Sequence, residues 1–136
     1  MSSKTYKLKN KALIEKLKKY FRGLKGVSLA FLFGSFSKGA ESALSDMDIA
    51  VYLENPELED KIWLEIERIV KKEIDLVIIN RAPPAVVWTA IKDGIPLSIK
   101  NKALYLDLFL KISSEALDFI EFNLDFLNKR EKAYGH

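Results

Sequence analysis

Two aspartates one residue apart, Asp46 and Asp48, open an apolar run and follow a small polar loop that begins at Gly34-Ser35. On an extended strand, residues two apart project from the same face, so both carboxylates leave one side together. Two carboxylates on one face repel unless a cation lies between them, and a divalent metal held by oxygen ligands is the usual solution. A third acid, Asp75, stands among Ile74, Leu76, Val77, Ile78 and Ile79. A carboxylate in such apolar surroundings is costly unless paired or metal-bound, so Asp75 is expected beside the other two if its strand neighbours theirs. Gly34 lets backbone N–H groups approach a phosphate, and the Ser35 hydroxyl adds a donor. A helix starting at Phe36 would present a further anion-favouring N-terminus. Three converging carboxylates beside a phosphate cradle are the equipment for two-metal phosphoryl or nucleotidyl transfer.

Such a site needs strands to carry it. Val27–Phe33 is short, apolar and aromatic-rich and reads as a buried strand. From Asp46 to Leu53 the chain alternates, with Met47, Ile49, Val51 and Leu53 on one side and Asp46, Asp48, Ala50 and Tyr52 on the other. Asn55-Pro56 ends that strand, and residues 58–72 place Ile62, Ile66, Ile69 and Val70 at helical spacing. Residues 73–79 form a third strand. Asn80-Arg81-Ala82-Pro83-Pro84 is a turn leading into a helix to Lys92, and Pro96–Lys100 is a short edge strand with a tolerated early proline. Upstream, Ala12, Leu13, Leu17, Tyr20 and Phe21 recur at helical spacing between residues 9 and 22, closed by Gly23 and Gly26.

Residues 103–130 read as one long helix with two apolar stripes. Leu110, Ser113, Leu117, Ile120, Leu124 and Leu127 make one; Leu108, Ile112, Glu115, Phe119, Phe122 and Phe126 make the other. The offset of two residues is about 200° around a helix, so one stripe covers the core and the other needs a second partner, a dimer mate or another helical protein. A single wide stripe inside a monomeric core is the competing arrangement.

At 136 residues the chain is one domain's length, an α/β (α+β) unit divided into a basic helical segment (1–26), a strand-bearing core (27–100) and the C-terminal helix (103–130). There is no cysteine, which excludes disulfides and thiolate metal sites, and the polar start and short apolar runs predict a soluble, cytoplasmic protein with no membrane span. Net charge of +3 conceals an asymmetry: residues 1–26 carry nine Lys or Arg against Glu15 alone, whereas the rest holds 13 basic and 18 acidic groups, a balance of −5. The basic segment suits anionic partners such as nucleotide or RNA, although a solvated helix face accounts for the same lysines and no RNA-binding motif accompanies them.

Gly34 and Gly39 have the spacing of a P-loop start, but no Gly-Lys-Ser/Thr follows. Taken alone, Asp46 and Asp48 are also compatible with turn and strand-edge residues. His136 is terminal and an unsuitable catalyst, and Trp63 and Trp88 fall on helices as core residues.

The order Gly34-Ser35, ten residues, Asp46-Met47-Asp48, then Glu73-Ile74-Asp75-Leu76-Val77, resembles the signature of the DNA polymerase β-like nucleotidyltransferase superfamily. From Val27 to about Leu97 the chain looks like a minimal nucleotidyltransferase, the small branch whose members act as antitoxins beside HEPN-domain toxins. That resemblance implies a small mixed β-sheet of the palm type flanked by helices, binding ATP or another nucleoside triphosphate with Mg²⁺ in a two-metal site. It assigns metal ligation to Asp46 and Asp48, with Asp75 completing the site and helping to activate the acceptor hydroxyl. Phosphate binding falls to Gly34, Ser35, Ser37 and Lys38, although many relatives carry arginine where this chain has Lys38, which keeps the charge without the bidentate fork. The implied activity is transfer of AMP to a tyrosine of the partner toxin. A binding antitoxin that occludes its partner through the C-terminal helix, and an RNA-directed nucleotidyltransferase, are the alternatives.

Overall fold

The computed structural model describes residues 3–34 and 47–114. The expected positions of Ser35, Ser37, Lys38 and Asp46, and the C-terminal helix beyond Ser114, lie outside the described residues.

Four strands form a mixed sheet in the order β3-β2-β1-β4, where β1 is Val27–Phe33, β2 Met47–Leu53, β3 Ile74–Ile78 and β4 Ile95–Ile99. β1 runs antiparallel to both β2 and β4, while β2 and β3 are parallel. Parallel neighbours need a crossover, and α2 (Glu59–Val70) supplies it. α1 (Ser3–Gly23) precedes the sheet, α3 (Pro84–Asp93) joins β3 to β4, and helix α4 occupies 102–114 as far as it is described. The mixed palm-type sheet and its flanking helices match the expectation from sequence.

Both faces of the sheet are covered, which is why every residue of β1 is buried. On one face Leu32, Met47, Ile49, Val51, Leu76 and Leu97 pack with Leu17 and Phe21 of α1 and Ile62 and Ile66 of α2. On the other, Leu29, Phe31, Phe33 and Ala50 pack with Val87, Ala90 and Ile91 of α3 and Ile112 of α4. The alternation of β2 thus partitions the two cores as expected. Trp63 packs on the first core and Trp88 on the second, where its ring lies 5.6 Å from Phe109.

Local signals fix the ends of the elements. Asn55 accepts a hydrogen bond from Glu57 N (3.1 Å) and caps the turn entered at Pro56. α2 closes on Lys71 in the left-handed region (φ 58°), with Lys71 N donating to Glu67 O. Pro84 occupies the first turn of α3. Gly94 permits α3 to end hard against β1: a Cβ there would lie 2.2 Å from Ala90 O and 3.0 Å from Leu32 O. Asn101 Oδ1 accepts from Leu104 N (3.0 Å) and starts α4. At the far end of β2, Asn80 grips the backbone of Leu53 twice, accepting from its N–H (2.9 Å) and donating to its carbonyl (2.8 Å).

The largest departure of a boundary from expectation is at the start of α1. α1 begins at Ser3 rather than near residue 9, because Lys4, Lys7, Leu8 and Lys9 are good helix formers without needing an apolar stripe. Over 102–114 α4 has a packed and an exposed side, and the rest of the two stripes expected of the C-terminal helix lies outside the described residues. Ile112 is buried and Leu108 packs on the core, whereas Leu106 and Leu110 are 54% and 57% exposed.

Candidate active site

The chemistry-bearing residues gather at the end of the sheet where β1 stops and β2 and β3 begin. Register fixes them in one row: Phe33 faces Asp48 across the antiparallel pair, and Asp48 faces Asp75 across the parallel pair. Neighbouring strands lie about 4.8 Å apart, and side chains level with each other in a row leave the same face. Asp48 and Asp75 therefore stand side by side on the face that also carries Ala50 and Tyr52. Further along that face α3 and α4 cover the sheet; at this end no described helix does, and Asp48 is half-buried and Asp75 exposed.

The exposure of Asp75 corrects the sequence reading, which placed it in costly apolar surroundings. β3 is an edge strand and Asp75 is its second residue, so its apolar sequence neighbours Ile74 and Leu76 point into the opposite core while its own side of the strand meets solvent. The convergence with Asp48 stands; the burial does not.

Gly34 closes this end of β1 with φ 82°, a conformation that favours glycine. A Cβ at this position would lie 2.2 Å from Asp48 Oδ2 and 3.2 Å from its carboxyl carbon. The sequence reading gave Gly34 a role in admitting phosphate. The structure adds a role that local sequence does not signal: the missing side chain is the space the Asp48 carboxylate occupies.

Two aligned carboxylates about a strand spacing apart offer hard oxygen ligands of the kind Mg²⁺ takes when it bridges protein to phosphate. Among the described residues no group of three or more His, Cys, Asp or Glu gathers around a common point, so this donor set is a pair. Asp46, the expected third member, lies outside the described residues, as do Ser35, Ser37 and Lys38. Among the described residues no helix is long and apolar enough to cross a membrane.

The family model for polymerase β nucleotidyltransferases matches residues 15–103, spanning α1 to the start of α4 and including the whole sheet. No curated protein sequence matches the chain significantly. Among solved structures, the chain is similar to a chain of a toxin–antitoxin complex with AMP-PNP (20% identity, 88% of this chain and 97% of that one, TM-score 0.63). It is also similar to a chain of the tri-AMPylated Shewanella oneidensis HEPN toxin in complex with MNT antitoxin (17% identity, 90% and 98% covered, TM-score 0.62). A chain of the MntA–HepT toxin–antitoxin complex aligns comparably, at 17% identity with 89% and 98% covered and a TM-score of 0.60. At these identities the structural likeness establishes the fold, whereas the family match covers most of the sequence and contains Gly34, Asp48 and Asp75. With the strand order, the paired acids and the glycine turn all in place, the chain belongs to the polymerase β nucleotidyltransferase family.

Proposed function

We propose that the protein transfers AMP from ATP to a tyrosine hydroxyl of a HEPN-type toxin and thereby serves as its antitoxin. The observation that carries this reading is the side-by-side placement of Asp48 and Asp75 beside the Gly34 turn. Support comes also from two of the similar structures, one a toxin–antitoxin complex with AMP-PNP and one containing an AMPylated HEPN toxin.

In this reading Asp46, Asp48 and Asp75 hold Mg²⁺, and Gly34, Ser35, Ser37 and Lys38 receive the triphosphate. The bound metal supplies charge neutralisation for the phosphates and lowers the cost of ionising the acceptor. Asp48, held in the lee of Gly34, orients the donor. Asp75 takes the proton from the acceptor hydroxyl, whose oxygen forms a bond to the α-phosphorus as the bond to the pyrophosphate breaks. The exposure of Asp75 is what an acceptor arriving on a separate protein requires.

Intact-mass measurement of the cognate toxin after incubation with ATP, Mg²⁺ and this protein tests the proposal. The expected product is a toxin heavier by whole AMP units, absent with Asp48→Asn. Unmodified toxin with the wild-type protein, or full modification by Asp48→Asn, would refute it.

A second reading rests on Leu106 and Leu110, exposed large apolar residues on one side of α4 whose other side is packed on the core. Here the helix docks the partner and occludes it, with or without transfer; a second copy of the chain could use the same surface. Leu106→Glu with Leu110→Glu is expected to abolish co-purification with the toxin, while Asp48→Asn leaves it intact. Normal capture of the toxin by the doubly charged variant would exclude this surface.

A further inference from the structure

Eight of the nine cations of residues 1–26 lie on α1, and the structure fixes which side of that helix is free. Leu17 and Phe21 are fully buried against the sheet. With Lys11 as reference and about 100° per residue, Leu17 and Phe21 sit near 240° and 280°; Lys18 and Arg22 lie within about 20° of Lys11, Lys19 near 80° and Lys16 near 140°. The cationic ridge from Lys11 to Arg22 is about 17 Å long. Lys11, Lys16, Lys19 and Arg22 are exposed, as is Lys25 beyond the helix end. The single acid in this arc, Glu15, pairs with Lys18 at 3.8 Å.

A protein partner docking here would need an apolar centre to its interface. From Lys11 to Arg22 the arc offers none: the exposed large apolar residues among the described ones are Leu64, Leu106 and Leu110, on α2 and α4. Lysine predominates over arginine, giving point charges without the planar forks that read bases. A regularly charged, aromatic-free ridge matches a sugar–phosphate backbone, bound by charge alone. A straight ridge touches the curved surface of a rigid duplex over few phosphates, whereas a flexible single strand can lie along its whole length.

We infer that the exposed face of α1 is a docking surface for single-stranded RNA, bound through its phosphates without sequence preference. This surface lies on the α1–α2 side of the sheet, opposite the face carrying Asp48 and Asp75, and the inference does not rest on the proposed transfer reaction.

Fluorescence anisotropy of the full chain with a labelled oligouridine of about 20 nucleotides tests it. Neutralisation of about five phosphates predicts a slope of roughly −3.5 in log affinity against log salt, a weakening of about 100-fold between 50 and 200 mM salt. The triple variant Lys11→Gln, Lys19→Gln, Arg22→Gln, with circular dichroism confirming the fold, is expected to reduce the slope to roughly −1.4, since about 0.7 is lost per contact removed. The wild-type salt slope stands as a test by itself should that variant not fold. Absence of binding at 50 mM salt, a flat salt dependence, or an unchanged slope in the triple variant would overturn the inference. So would tighter binding of a duplex of equal length, or equal competition by polyglutamate, which would mark an acidic protein surface as the occupant.

Discussion

Replacing Gly34 by alanine places a methyl group 2.2 Å from Asp48 Oδ2, well inside the 3.0 Å that real Cβ atoms essentially never cross. Two costs follow, and they are separable. The backbone cost arises from φ 82°, where an L-residue is disfavoured by about 1–2 kcal/mol. The steric cost arises from the carboxylate, which must retreat by roughly 1 Å to reach an ordinary contact. Only the second depends on the Asp48 side chain. In urea unfolding, Gly34→Ala is therefore expected to cost about 2–3 kcal/mol in the wild-type background and about 1–2 kcal/mol when Asp48 is already alanine. The difference, about 1 kcal/mol, is the coupling between the glycine and the acid. Activity should fall further than stability, because a misplacement of about 1 Å in a positioning group can lower a rate about 100-fold. If Gly34→Ala costs the same with and without the Asp48 carboxylate, the close approach contributes nothing and the spatial role assigned to Gly34 is wrong.

Other parts of the molecule yield independent tests. The Tyr20 hydroxyl is buried and makes no hydrogen bond of normal geometry, although burial and the nearby Glu65 carboxylate both push its pKa well above the usual value. Tyr20→Phe is expected to stabilise the fold by about 1 kcal/mol in urea unfolding, by removing an unpartnered buried hydroxyl; a loss of stability would reveal a real bond to Glu65. In the wild type the folded state keeps this proton while unfolded chains lose theirs above about pH 10, so Tyr20 makes stability fall as pH rises past 10, and Tyr20→Phe should flatten that fall. Asn80→Ala strips both side-chain hydrogen bonds from the Leu53 backbone and should cost about 1–3 kcal/mol by the same assay, with little effect on nucleotide chemistry at the opposite end of β2.

Local signals carried much of the architecture. The two-residue alternation from Met47 to Leu53 assigns each side chain of β2 to its face, and with it the face of Asp48. Proline near the start of β4 marks a strand that pairs on one side only. What stayed illegible is non-local. Nothing in residues 73–79 announces that β3 lies at the sheet edge, so Ile74 and Leu76 suggested an apolar setting for Asp75 that the edge position removes. Parallel register is likewise set by the α2 crossover packing on the sheet, and the levelness of Asp48 and Asp75 follows from that packing rather than from any spacing in the chain. The contact between Gly34 and Asp48 spans an antiparallel pair of strands far apart in sequence, and a glycine's sequence context does not say which atom needs its space.

The most direct test compares AMP transfer rates for Asp48→Asn, Asp75→Asn and the double variant, each verified as folded, using ATP, Mg²⁺ and the cognate toxin. Groups that act as one unit are strongly non-additive, so each single change should lower the rate about 100-fold or more and the double variant should be scarcely slower than either. A wild-type rate in Asp75→Asn, or losses that multiply in the double variant, would contradict the assignment of Asp48 and Asp75 to a single nucleotidyl-transfer centre.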